Sequence, residues 1–432
     1  MLTTSKDAAL AIQSGDVVAI AGGASQPVSF LEALGKRKDL HRVKVFTSMT
    51  LLPPDFLVRY YAAQKGGHTF ERNIRLHSFC VGPGARQGAR TGVVDVVPVN
   101  SRSIGRLLQQ QRVDVLVVGS SGMDMEGNLN LGCNVDWMPD LLATADQEDT
   151  LVVAEVNPRL PWTEGETTFR IESVDHIVEC DKPIPDLPPS PAAAEAHAIG
   201  SHLANIVPDG AILHMGMGDV AGQACTHLDV KKDLGVHSDY IGDAFLHLHQ
   251  KGALTSRLKT FMPGKWVGSF VLGSRKLYDF VHKNKLLSLH PLDFVTHPAN
   301  IMRNHKMVSI TQGSQVDVTG QVAGQTGAFE LFSNPGVQHG FHVAAADSPK
   351  GRGIVVLPSS TGSGKTSSIV PVIAAGATVT IPRADVDCVV TEFGVANLRG
   401  RPLPERVLSL IAIAHPEHRD ELARESQKLG LL

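Results

Sequence analysis

A chain of 432 residues, 43% of them hydrophobic, has enough apolar material for two or three compact α/β domains, each with its own core. Its 40 Lys and Arg nearly balance 43 Asp and Glu, with no basic run interleaved with aromatics, which argues against a nucleic-acid partner. No apolar segment approaches the roughly 20 residues of a membrane span, so no membrane partner is expected either. In chain order, the opening MLTTSKDAALAIQSGDVVAIAGG lacks the charged-then-apolar layout of a signal peptide, and a cytoplasmic location is expected. Cys80, Cys133, Cys180, Cys225 and Cys388 are scattered, odd in number and without a CxxC pair, which fits reduced thiols and no structural zinc.

The runs GDVVAIAGG, VKVFTS, VDVLVVGSSG and DTLVVAEVN are apolar throughout and alternate with helical patterns such as SFLEALGKR. Continuous apolar runs predict parallel strands buried on both faces, and hence an α/β architecture. DKPIPDLPPSPA, residues 181–192, carries five prolines in twelve residues and reads as a linker between an N-terminal domain, 1–180, and a C-terminal domain, 193–432. Beyond it the pattern restarts with the amphipathic AHAIGSHLANIV, then GAILHMGMGD as strand and glycine turn, then GIVVLP, ATVTIP and DCVVTEFG as further strands. A strand running into a Gly-rich turn opens both halves, a faint sign of duplication.

Several short segments can carry chemistry. Gly216 and Gly218 form Gly-x-Gly at a strand end, either a ligand-binding turn or a tight structural one. His237, Ser238 and Asp239 are consecutive, so they point to opposite faces of a strand and cannot form a triad with one another. His247 and His249 sit two apart in a helical context, do not share a face and predict no metal site. LFSNPGVQHGFHVAAADSPKG is rich in small residues, which suits either close approach to a ligand or packing against a neighbour. TGSGKTS resembles a phosphate-binding loop, with Gly364, Lys365 and Thr366 in place. Ser359 stands where its first glycine should be, however, and Pro371 falls inside the helix that should follow.

Taken together and in order, these pieces resemble the acetyl-CoA hydrolase/4-hydroxybutyrate CoA-transferase family of acyl-CoA:carboxylate CoA-transferases. The resemblance spans nearly the whole chain. It rests on GPGARQGARTG, GNLNLGCNVD and AEVNPRLPWTEG in the first half, and in the second on DGAILHMGMG, KDLGVHSD, GSFVLGSRKLYDF, VDVTGQV and VVTEFGVANLRG with LIAIAHPEHRDEL. It also implies a Ser/Thr-Gly-rich loop and S-x-I-V-P where LPSSTGSGKTSSIVP stands, so the phosphate-loop look is coincidental. The implied fold is a pair of open-sheet α/β domains of the CoA-transferase type, NagB/RpiA-like, with the active site between them. The implied assembly is a homodimer or homotetramer.

The resemblance further implies a carboxylate nucleophile that attacks an acyl-CoA thioester and becomes an enzyme-CoA thioester, from which CoA passes to an acceptor acid. No permanently bound cofactor or metal is expected; coenzyme A enters as a thioester substrate. By that resemblance Asp239 is the catalytic carboxylate, although the family has Glu in HSE or HTE where this chain has HSD. Met217 and Gly218, with Gly336, Val337 and Gln338, would line the oxyanion; the family usually reads G-G-Q at the second of these loops. One methylene less withdraws the carboxylate by about 1 Å, and a misplacement of that size can cost about 10²-fold. Three outcomes stay open: a working transferase, an acyl-CoA hydrolase with Asp239 as general base, or a CoA-binding protein without turnover. Gly264, Lys265, Gly268 and Ser269 would line the CoA path, with Lys265 either on a phosphate or solvated. Gln26 and Arg86 would meet the acids, Arg86 through its two-pronged fork or else as a loop support. The acid itself stays open among short fatty acids, 4-hydroxybutyrate and C4 or C5 dicarboxylates such as succinate or itaconate.

Overall fold

The fold was obtained as a computed structural model that describes residues 1–67, 71–191, 194–327, 330–331, 336–362 and 364–432. The end of the Pro-rich segment at 192, most of the LFSNPG stretch at 332–335, and Ser363 lie outside the described residues. The chain forms two compact units, one of residues 1–187 with 269–294 and one of residues 188–268 with 295–432. The boundary at 187/188 falls inside the expected linker because its first half is tied to the first unit. Asn157 donates to the Lys182 carbonyl at 2.8 Å, and the Tyr278 hydroxyl donates to the Pro185 carbonyl at 2.9 Å. Residues 269–294, read from sequence as part of the second domain, belong to the first unit. Their backbone pairs there: the Val135 N–H donates to the Ser269 carbonyl, and Val271 to Cys133.

Each unit is built on an open sheet. In the first the strands run, edge to edge, Leu2–Thr3, His176–Glu179, Leu151–Val156, Val115–Ser120, Val17–Ile20, Val43–Met49, Ile74–Cys80 and Asp95–Val96, all parallel. In the second, Trp266–Gly268, Gly235–His237, Ile212–Met215, Met307–Gln312, Arg352–Val356 and Cys388–Thr391 run parallel, and Gly394–Asn397 closes that edge as an antiparallel hairpin. The two sheets share one connectivity. Apart from the two-residue edge strand Leu2–Thr3, the first strand of each in sequence, Val17–Ile20 or Ile212–Met215, lies centrally; the next strands in sequence stack on one side, and the chain then returns to build the other. The faint sequence duplication thus has a counterpart in strand order. Such a reversal leaves a switch point at the carboxyl ends of the two central strands, where ligands bind in open α/β sheets.

The apolar runs are buried as their composition demands: Val115–Val118, Ile212–Leu213 and Ile354–Val356 are at most 3% exposed. The segment resembling a phosphate loop is a hairpin, Ser360–Thr361 against Thr366–Ser367, followed by the strand Ile369–Val370 in place of a helix. Ser359, at the missing glycine position, gives both its N–H and its hydroxyl to the Glu392 carboxylate, at 2.8 and 2.5 Å. His247 and His249 lie on the helix Asp243–Gln250 and turn to different partners, the Asp229 carboxylate and the Leu254 carbonyl. Among the described residues no group of His, Cys, Asp or Glu is placed to hold a metal, and no helix is long and apolar enough to cross a membrane. Among the described residues the five cysteines form no disulfide.

Candidate active site

The switch point of the second unit carries a chain of three polar side chains. His214, on the strand Ile212–Met215, pairs in register with Ser309 on Met307–Gln312, so both side chains leave the sheet on the same face. Ser309 Oγ lies 2.8 Å from His214 Nδ1, and Asp239 Oδ1 lies 3.1 Å from His214 Nε2. A carboxylate is an acceptor, so the contact with Asp239 is made through an Nε2–H donor, while the Ser309 hydroxyl is able to donate to Nδ1 or accept from it. The Phe341 ring closes the stack, parallel to His214 with centroids 3.7 Å apart and planes 4° from each other.

Exposure separates the three. His214 and Ser309 are fully buried, whereas the Asp239 side chain is 12% exposed. Both imidazole nitrogens and a ring face are occupied, which leaves Asp239 as the member of the group that can touch a substrate. Asp239 follows the strand Gly235–His237 and precedes Tyr240–Ile241. Burial, then the charges of Asp243, Asp239 and Asp219, raise the neighbouring Tyr240 phenol well above its usual range, so Tyr240 stays neutral beside the carboxylate.

Two loops lean on the end of the strand that bears Ser309. Gly216, Met217 and Gly218 connect Met215 to the helix Asp219–Cys225, and Gln312 Oε1 accepts from the Val220 N–H at the start of that helix, at 3.1 Å. Gly336, Val337 and Gln338 lead into the helix Gln338–Asp347. Gly336 has φ of 53°, a left-handed conformation that disfavours a side chain, and Gln338 Nε2 donates to Thr311 Oγ1 and to the Gln312 carbonyl, both at 3.1 Å. Thr311 and Gln312, not singled out in the sequence, therefore place both expected oxyanion segments. Met217 is 39% exposed.

Of the residues expected on the CoA path, Gly264 sits in a turn with φ of 75°, and Gly268 ends the strand next to the Asp239 segment, where a Cβ would meet the Ser238 carbonyl at 3.2 Å. Ser269 is buried in the first unit. Gln26, also in the first unit, spends its amide on backbone: Oε1 accepts from Leu51 and Leu52, and Nε2 donates to the Leu52 carbonyl. It is a loop clamp. Arg86 is exposed on the helix Pro83–Thr91 and forms no ion pair among the described residues.

A buried cation, Lys259, supports the strand that leads to Asp239. Its ammonium donates to the Val236 carbonyl at 2.6 Å and to the Lys265 carbonyl at 2.8 Å, and burial lowers it from 10.5 to about 7. The folded state then binds fewer protons than the unfolded chain between those two values. The resulting stabilisation is absent below about pH 7, grows with pH and is complete above about 10.5. Between pH 7 and pH 10 the change in urea unfolding free energy is expected to be a few kcal/mol more favourable in the wild type than in Lys259→Met, because the buried thiols, which lose stability over the same range, act alike in both; equal changes in the two proteins would rule out this assignment.

The chain is similar to known proteins over nearly its whole length. The chain is 35% identical to the 4-hydroxybutyrate coenzyme A transferase of Clostridium kluyveri, over 99% of this chain and 97% of that protein. It is 34% identical to the succinyl-CoA:cyclohexane-1-carboxylate CoA transferase of Geobacter metallireducens, over 98% and 94%. The structure of RipA from Yersinia pestis superposes with a TM-score of 0.91 at 31% identity, covering 100% of this chain and 98% of RipA. The acetyl-CoA hydrolase/transferase N-terminal domain matches residues 1–188 and the corresponding C-terminal domain residues 273–426, so the chain belongs to the acetyl-CoA hydrolase/transferase family.

Proposed function

We propose that this protein transfers CoA from an acyl-CoA thioester to a small carboxylic acid, with Asp239 as the covalent carrier. The observation that carries the reading is the Asp239 carboxylate, held at a switch point by a sealed histidine and alone of its group in having accessible surface. An Asp239 oxygen attacks the thioester carbonyl, the C–S bond breaks, and CoA leaves as thiolate, giving a mixed anhydride. The thiolate then attacks the Asp239 carbonyl and the acyl group departs as its carboxylate, leaving an enzyme-CoA thioester. The acceptor carboxylate reverses both steps, so no oxidant, metal or further reactant enters. N–H groups of the Met217–Gly218 and Gly336–Gln338 segments stabilise the tetrahedral oxyanions. Gly264, Lys265, Gly268 and Ser269 serve the CoA path in this reading. Arg86 offers its fork to an acid, and Gln26 acts through the loop it clamps.

Incubation with an acyl-CoA, followed by proteolysis and mass spectrometry, is expected to find CoA on the peptide containing Asp239. Free CoA released without acceptor acid and without an adduct would instead assign hydrolysis, with Asp239 activating water. Neither adduct nor CoA release would overturn the enzymatic reading.

A further inference from the structure

We infer that Asp239 and His214 are a matched pair, with Ser309 holding the imidazole through Nδ1, and that this relay sets the reach of the reacting carboxylate. The inference rests on Asp239 being the carboxylate that reacts, and it adds two positioning residues, His214 and Ser309, to the site. Three constraints act on one imidazole. Phe341 lies flat against its face and prevents the ring from turning about its axis. Ser309, its in-register neighbour on the adjacent strand, occupies Nδ1. Asp239 Oδ1 takes the only remaining hydrogen-bonding atom, Nε2.

With the ring immobile, the donated Nε2–H fixes Oδ1 in place and leaves Oδ2 to face the substrate. A donor to the carboxylate steadies its position at a cost in basicity, and the gain is geometric: an attack that depends on near-contact of the reacting atoms loses about 10²-fold for a displacement of about 1 Å. The short side chain is therefore part of a fitted arrangement. A glutamate at this position would push its carboxylate past Nε2, losing the donor without gaining a placed oxygen, because the sealed imidazole has no room to retreat.

The test is a double-mutant cycle on Asp239 and His214, read as kcat, KM and the rate of CoA-adduct formation in the same acyl-CoA assay. Asp239→Glu alone is expected to lower kcat and the adduct rate about 10²-fold with KM nearly unchanged. His214→Gln keeps an N–H donor on a side chain that can withdraw, so adding Asp239→Glu in that background is expected to cost less than tenfold. Ser309→Ala removes the hydroxyl that holds Nδ1 and is expected to lower kcat about tenfold at constant KM, while Ser309→Thr retains the hydroxyl and the rate. Additive effects across the cycle, or a Ser309→Ala enzyme with unchanged kcat, would overturn the relay. Should His214→Gln fail to fold, the Ser309 pair decides by itself, since Thr and Ala differ there in the hydroxyl. Loss of activity in Asp239→Asn together with an additive cycle would sink the relay alone, whereas full turnover in Asp239→Asn would sink the underlying assignment.

Discussion

Asp239→Asn is expected to reduce kcat by about 10³-fold or more while leaving the fold intact. The substitution keeps the shape of the side chain and its capacity to accept the His214 N–H through the amide oxygen, so the hydrogen bond of 3.1 Å survives. What it removes is the charge and the nucleophilic oxygen, which both covalent transfer and base-assisted hydrolysis require. Thermal unfolding should move little, because the carboxylate keeps an accessible edge and the amide oxygen keeps its hydrogen bond. Steady-state turnover with an acyl-CoA and a small acid measures the effect, and the adduct experiment run on the same variant should show no CoA on the 239 peptide. Retained turnover would mean that another group does the chemistry.

The α/β class and the parallel sheets were legible in the sequence because each leaves a local mark, apolar runs of strand length with glycine turns at their ends, whereas Asp239 was singled out only through the resemblance of KDLGVHSDYIGD to a family motif. The relay left no local mark. Ser309 stands 95 residues from His214 and meets it only because the chain reverses direction across the central strands. In MVSITQ a serine within a strand reads as an ordinary polar interruption. His214 within GAILHMGMG looked like part of a strand, and its use depends on which neighbours the sheet order supplies. Lys259 was invisible for a different reason, since RLKTF reads as solvated loop and burial of its ammonium is decided by the carbonyls of Val236 and Lys265. Residues 269–294 crossed to the first unit because backbone pairing with residues such as Cys133 and Val135 carries no side-chain signature. Gln26 shows the converse limit: an amide in a Gly-rich loop suggests ligand contact, and only the structure reveals that Leu51 and Leu52 already occupy it.

Phe341→Ala is expected to cost about 3–5 kcal/mol of stability, the usual range for emptying a fully buried aromatic position. Its effect on catalysis should exceed what lost stability explains. Phe341 lies on the helix Gln338–Asp347, downstream of the Gly336–Gln338 turn, and its ring both stacks on His214 and sits 6.1 Å from the His237 ring. Removing it opens space against the face of the imidazole, lets the ring tilt, and loosens Asp239 through the bond to Nε2. A control of equal chemistry is available in Phe56, fully buried in the core of the first unit on the helix Asp55–Lys65 and in edge contact with Tyr60. Phe56→Ala should lose stability in the same range, yet keep kcat at temperatures where it remains folded. Phe341→Ala at the same fraction folded should lose at least tenfold in kcat, with the loss falling on adduct formation and little of it on KM. Equal kcat in the two variants would show that the stack on His214 serves packing alone, and that Asp239 is held by other means.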